Sequence, residues 1–174
     1  MDYLINFILL GLFYFLFFYN RWRKAAKQEF MLKTLMYFYI VMVLFVTIMP
    51  VSLPARGTSR IILGEGNLTP FHDVRMHYGG AVKGILLNIL MMMPFGFFYP
   101  LLKKRGMLTT VVMTFTFSLS IEGFQLLSAW WGSATSRIFD VTDLITNTFG
   151  GFAGFVCYFI FRPIHKLWDN RIHI

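Results

Sequence analysis

Charge is scarce in this chain. Asp, Glu, Lys and Arg make up 14% of its 174 residues, with 16 basic and 8 acidic side chains. A soluble domain carries about 25%. That deficit argues against a soluble globular protein and fits lipid, where each charged side chain at a helix centre costs at least about 2.5–3.5 kcal/mol to insert. Cysteine is nearly absent: Cys157 stands alone. An internal disulfide is therefore excluded, as is any zinc finger or ribbon spacing. Neither GxxxxGK nor GxGxxG occurs, so Gly64-Glu65-Gly66 is no phosphate loop, and Ser118 and Ser120 lie in no nucleophile elbow. There are no heptads, no repeat of 20–50 residues and no low-complexity tract. His72, Asp73 and His77 match no zinc pattern; Glu122, Asp140 and Asp143 are of the type that could hold a hard cation, but no metal or cofactor is expected.

Hydrophobic residues, by contrast, make up 57% of the chain, 21 of them phenylalanine, and the mean hydropathy is +0.62. Such a composition excludes a disordered chain, which needs low hydrophobicity and high net charge. A helix needs about 20 apolar residues to cross a bilayer. Five runs meet that length, at about residues 3–19, 32–51, 84–102, 107–131 and 144–161. The sequence therefore predicts an all-α, polytopic transmembrane bundle of about five spans, built as one domain over residues 1–174. Asp2 precedes the first run and Asn20-Arg21-Trp22-Arg23-Lys24 follows it, so a basic leader region and a small-residue cleavage site are both missing. It is read as a retained span. The net charge of +8 sits between the apolar runs and forms no stripe, which argues against nucleic acid as a partner.

Loop charges predict the orientation. Arg21, Arg23, Lys24 and Lys27 fill the first loop, Lys103, Lys104 and Arg105 the third, and Arg162, Lys166 and Arg171 the tail. The fourth loop has only Arg137, and the second mixes Arg56, Arg60 and Arg75 with Glu65 and Asp73. The N-terminus is expected outside and the C-terminus in the cytoplasm. Residues 52–83, with two prolines and five glycines, read as irregular backbone with a short re-entrant piece. The tail 162–174 is expected in the inner headgroup layer, anchored by Trp168. Pro94, followed by Gly96, predicts a kink or break in the third span. Gly150 and Gly154 form a small-xxx-small pair that suits close packing within the protein.

The remaining polar residues gather at one end. Thr114, Ser118, Glu122 and Gln125 recur at i, i+4, i+8 and i+11 on the fourth span, which is one helical face. At 1.5 Å per residue Glu122 lies about 22 Å above Met107, in the outer half. Asp140, Asp143 and Asn147 share a face at the outer entrance of the fifth span, and Asn88 lies one turn inside the third. Arg60, Arg75 and Arg137 come from the outer loops, whereas the inner halves carry almost nothing comparable. Ionisable residues inside a membrane default to a functional reading. Each also has a plain structural reading. Glu122 could pair with an arginine and staple the bundle, Asp140 and Asp143 could complement the helix dipole, and Asn88 and Asn147 could join helices. Glu122, Asp140 and Asp143 are the candidate acid–base residues if the protein is an enzyme, a question the sequence leaves open.

Several blocks resemble the VanZ-like membrane family. They are Asn67-Leu68-Thr69-Pro70-Phe71, Asn88-Ile89 running into Pro94-Phe95-Gly96-Phe97, Ser120-Ile121-Glu122-Gly123-Phe124-Gln125, and the long block from Arg137 through Asp140, Asp143 and Asn147 to Gly151. The resemblance covers residues 60–160. It implies a small multi-pass protein of the cytoplasmic membrane, typically of Gram-positive bacteria, in a family whose namesake is associated with teicoplanin resistance. Together with the polar clustering it points to an outer-leaflet pocket for an anionic, lipid-linked envelope molecule or a lipoglycopeptide. Arg60, Arg75 and Arg137 would hold phosphate or carboxylate, and Asn67, Asn88, Glu122, Gln125, Asp140, Asp143 and Asn147 would orient the ligand. The alternative is an intramembrane enzyme acting on a lipid-linked cell-wall precursor. The sequence does not fix an oligomeric state.

Overall fold

The computed structural model describes residues 3–48, 67–130 and 139–172. Arg60 and Arg137 lie outside them. The elements run in order as α1 (Tyr3–Phe13), a π-helical stretch (Tyr14–Tyr19), α2 (Asn20–Trp22), α3 (Lys27–Thr47), α4 (His72–Arg75), α5 (Ala81–Lys103), α6 (Met107–Trp130) and α7 (Val141–Ile172). Five helices are long and apolar enough to cross a membrane: Leu4–Trp22, Lys27–Thr47, Ala81–Lys103, Met107–Ser128 and Val141–Pro163. All five expected spans are present.

Their bounds differ from the apolar runs for local reasons. The second span begins at Lys27 rather than at residue 32, because Glu29 and Lys33 pair at i, i+4 (2.6 Å) and support a polar first turn. It ends at Thr47, short of Pro50, which has no N–H to continue a helix. Pro94 and Pro100 both sit inside α5, which nevertheless runs unbroken for 23 residues, so the expected break at Pro94 is absent. A missing donor here frees one carbonyl, and neighbouring helices can accommodate that. Tyr39 of α3 donates to the Met91 carbonyl at 2.7 Å, close to this site. Likewise α7 continues through Pro163 to Ile172 as one helix of 32 residues. The tail is thus an extension of the fifth span, not a separate segment; the Trp168 side chain lies outside the described residues.

The tightest seam joins α5 and α7, and it is made by glycine. A Cβ at Gly150 would run into the Ile89 carbonyl, one at Gly154 into the Met93 carbonyl, and one at Gly96 into the Gly151 backbone. Small residues at this spacing let helix backbones touch, which compensates in lipid for the missing hydrophobic drive between helices. The Gly150/Gly154 pair therefore packs within the chain. On the other side of α5, Val43, Met92 and Ile121 form a buried cluster where α3, α5 and α6 meet, and Phe95 stacks on Phe117 with ring centroids 5.2 Å apart. The first span packs at the edge of the bundle through aromatic side chains. Tyr14 bonds Thr34 at 2.8 Å, and Tyr37 donates to the Leu10 carbonyl at 2.7 Å, at the entry to the π-helical stretch. Its other face, with Leu4, Phe7, Ile8 and Leu16, is exposed, as a lipid-facing helix requires.

Candidate functional site

Five segments meet at one end of the bundle: the last turns of α3 and α6, the first turns of α5 and α7, and the stretch Asn67–Gly80. This polar end lies opposite the basic turns at 22–27 and 103–107. Its centre is the start of α7. Asp140 occupies the N-cap: its Oδ1 accepts the Thr142 N–H at 2.7 Å, and its Oδ2 accepts from Asn67 Nδ2 at 3.1 Å. A carboxylate there satisfies an orphan helix donor and complements the helix dipole. Asn67 also pairs with this turn through its backbone, its N–H donating to the Phe139 carbonyl (2.8 Å) and its carbonyl accepting from Val141 (3.1 Å). The Asp140 N–H in turn donates to Glu122 Oε2 on α6 at 3.1 Å. Asn88 of α5 donates to Asp143 Oδ1 at 2.7 Å. Five predicted site residues, from four separate blocks of sequence, thus come together at the start of α7, Asn67, Asp140 and Glu122 in one hydrogen-bonded set and Asn88 with Asp143 in another.

Other predicted residues take related places. Asn147 lies one turn deeper on α7 and donates to Ser118 Oγ at 3.0 Å; both are buried, and its Oδ1 has no partner among the described residues. Gln125 donates to the Thr47 carbonyl at 2.9 Å, tying α6 to the end of α3. Arg75 is exposed and its guanidinium donates to the Pro70 carbonyl. The second loop does fold locally near Arg75, into the single helical turn α4.

Two buried threonines escape the sequence pattern. Thr142 is buried, and its hydroxyl oxygen accepts the Phe71 N–H at 3.0 Å, holding Phe71 in the left-handed region at φ 57°. A bulky residue there is strained and needs such support. A hydroxyl two residues after an N-cap carries no sequence signal of its own. The second is Thr110. It is fully buried and continues the Thr114–Ser118–Glu122–Gln125 face toward the basic end, so the polar stripe reaches farther than expected. The Thr110 and Thr114 hydroxyls bond back to their own helix at 3.0 and 2.9 Å, and a Cβ at Gly151 would strike the Thr114 side chain. This part of the stripe is packing.

Above the cluster lies a cleft of about 220 Å³. Its walls are Phe71, Asp73, Val74 and Tyr78 on one side, Gly79, Gly80, Ala81, Gly84 and Ile85 at the α5 start on another, and Asp140, Thr142 and Asp143 below. Its ionisable lining other than Tyr78 is acidic. Among the described residues, no three His, Cys, Asp or Glu side chains gather closely enough to hold a metal ion.

A family profile described as VanZ/LLP1 matches residues 35–162, which takes in α5, α6, the α7 span and most of α3. The chain is 32% identical over 93 residues to Protein VanZ of Enterococcus faecium; the match covers 53% of this chain and 51% of that protein. The chain thus spans about half the length of this relative. No solved structure matches it. With five membrane-spanning helices, and with the matched region holding the whole polar cluster, this chain belongs to the VanZ/LLP1 family of membrane proteins.

Proposed function

We propose that this protein sits in the cytoplasmic membrane with its polar end outward and binds the head of a lipid-tailed envelope molecule in the Phe71–Asp143 cleft. A lipid-linked cell-wall precursor and a lipoglycopeptide of the teicoplanin type both have that form. The observation that carries this reading is the cleft itself. It lies at the mouth of a bundle whose next turns expose Val82, Leu86 and Ile145, so a head seated in it would leave its tail beside apolar side chains. The anionic part of such a molecule falls to the arginines. Arg75, next in sequence to the cleft's Val74, is the described one, and guanidinium geometry suits phosphate. Asn67, Glu122 and Asn88 hold the aspartates in place below. An acceptor set fixed in this way is pre-organised for binding.

Gly84 provides the test. It lines the cleft, and a side chain there meets nothing within 4 Å. Gly84→Phe should therefore fill the cleft while leaving the helix, which gains from losing a glycine, intact. Wild type and variant, at matched membrane level in a sensitive Gram-positive host, are compared for teicoplanin and vancomycin susceptibility and for lipid that co-purifies. Protection against teicoplanin and a retained lipid-linked species in wild type, both lost in Gly84→Phe, are the expected results. Equal protection or equal lipid retention by the variant overturns the cleft as the site.

A further inference from the structure

Building on that reading, we infer that the group seated in the cleft is an uncharged, hydroxyl-rich ring, one sugar residue of the lipid-tailed ligand, and not its phosphate. Size sets the first limit. Sites for drug-sized ligands enclose about 300–1,000 Å³, and this cleft holds about 220 Å³, which suits a single ring. The walls set the second. Phe71 and Tyr78 line the cleft and are both well exposed, and an aromatic face covers the apolar C–H face of a sugar. The Thr142 hydroxyl fixes Phe71 in its strained conformation, so this wall is set before a ligand arrives.

Charge sets the third limit. An anion would face the carboxylates of Asp73, Asp140 and Asp143 at short range, where like charges repel. Against a cation stands the engagement of the oxygens it would need. Both Asp140 oxygens already accept neutral N–H donors and Asp143 accepts one, while the positive ends of two helices, α5 and α7, point at the same space. The carboxylate oxygens held in this way accept hydrogen bonds, and the Tyr78 hydroxyl in the opposite wall both accepts and donates. Hydroxyl groups, which do both, match this lining.

The protein reconstituted in nanodiscs of unglycosylated phospholipid can be probed by saturation-transfer NMR with methyl glucoside, inorganic phosphate and ethylammonium. Transfer to the sugar ring protons is expected, reduced roughly tenfold by Gly84→Phe and by Tyr78→Leu, with neither ion competing. Competition by phosphate or ethylammonium, or a sugar signal unchanged in Gly84→Phe, overturns the inference. A glucoside with a dodecyl tail should saturate the site at lower concentration than the methyl glucoside. Equal occupancy by the two would keep the sugar but remove the lipid-tailed ligand. If the lipid species of the susceptibility experiment is retained by wild type and lost in Gly84→Phe while no sugar signal is seen, the cleft stands as the site and the sugar assignment falls.

Discussion

Asp140 joins three parts of the molecule through two side-chain oxygens and one backbone N–H, reaching Asn67, Thr142 and Glu122. Losing an N-cap costs about 0.5–2 kcal/mol. Asp140→Ala should therefore lower the melting temperature of the purified protein in a fixed detergent. Asp140→Asn should fall between, since it retains a capping oxygen but turns an amide toward the Asn67 amide. If Asp140→Ala melts with wild type, the cap does not hold this corner. Much of this corner is visible in the sequence. The i, i+4 recurrence of Ser118 and Glu122 marks a face, and Asp140 before an apolar run marks a helix start. Which groups pair is not visible there. Arg75, expected to hold an anion, bonds the Pro70 carbonyl, and Thr142, an ordinary threonine in the sequence, supports Phe71. Apart from those of Arg75 and of the Thr142 N–H, these partners lie 18 to 73 residues apart and depend on helix rotation and height, which no local pattern encodes.

At the scale of elements, the contact between α5 and α7 depends on bare backbone. Gly96→Ala, Gly150→Ala or Gly154→Ala would push a methyl group into a facing main chain, and overpacking of this kind typically costs about 1–3 kcal/mol. Gly123→Ala sits on the same kind of helix with open space around its Cβ and should gain up to about 1 kcal/mol from helix propensity. Thermal unfolding of the four variants in one detergent should split them by sign. A Gly150→Ala protein as stable as Gly123→Ala would mean that the seam is looser than described. The Gly150/Gly154 spacing is legible in the sequence as a close-packing pattern. Its partner is not, because Ile89 and Met93 meet the glycines through their backbone carbonyls, which every residue has. Pro94 gives no helix end for a related reason. Its local effect is to remove one hydrogen bond, yet α5 continues through it with neighbours on two sides.

At the scale of the whole molecule, the basic turns at one end and the acidic cluster at the other divide the bundle along its axis. The positive-inside rule predicts an orientation with the 103–107 turn in the cytoplasm and the cleft outside. In a Cys157→Ala background, a membrane-impermeant maleimide should label Tyr78→Cys in intact cells and Lys104→Cys only after permeabilisation. The reverse pattern would turn the cleft to the cytoplasm and remove envelope molecules outside the membrane as its ligands. The number of spans, their approximate limits and the loops that carry the basic charge are set by the sequence alone. In lipid a helix satisfies its own backbone, so an apolar run of sufficient length specifies a span without help from the rest of the chain. Tertiary structure alone decided that α7 lies against both α5 and α6, that Asn67, Asn88, Glu122, Asp140 and Asp143 converge, and that a cleft opens above them. With lipid as apolar as the helices, hydrophobicity does not choose between neighbours. That choice falls to glycine seams and polar pairs, whose fit exists only once the helices are placed.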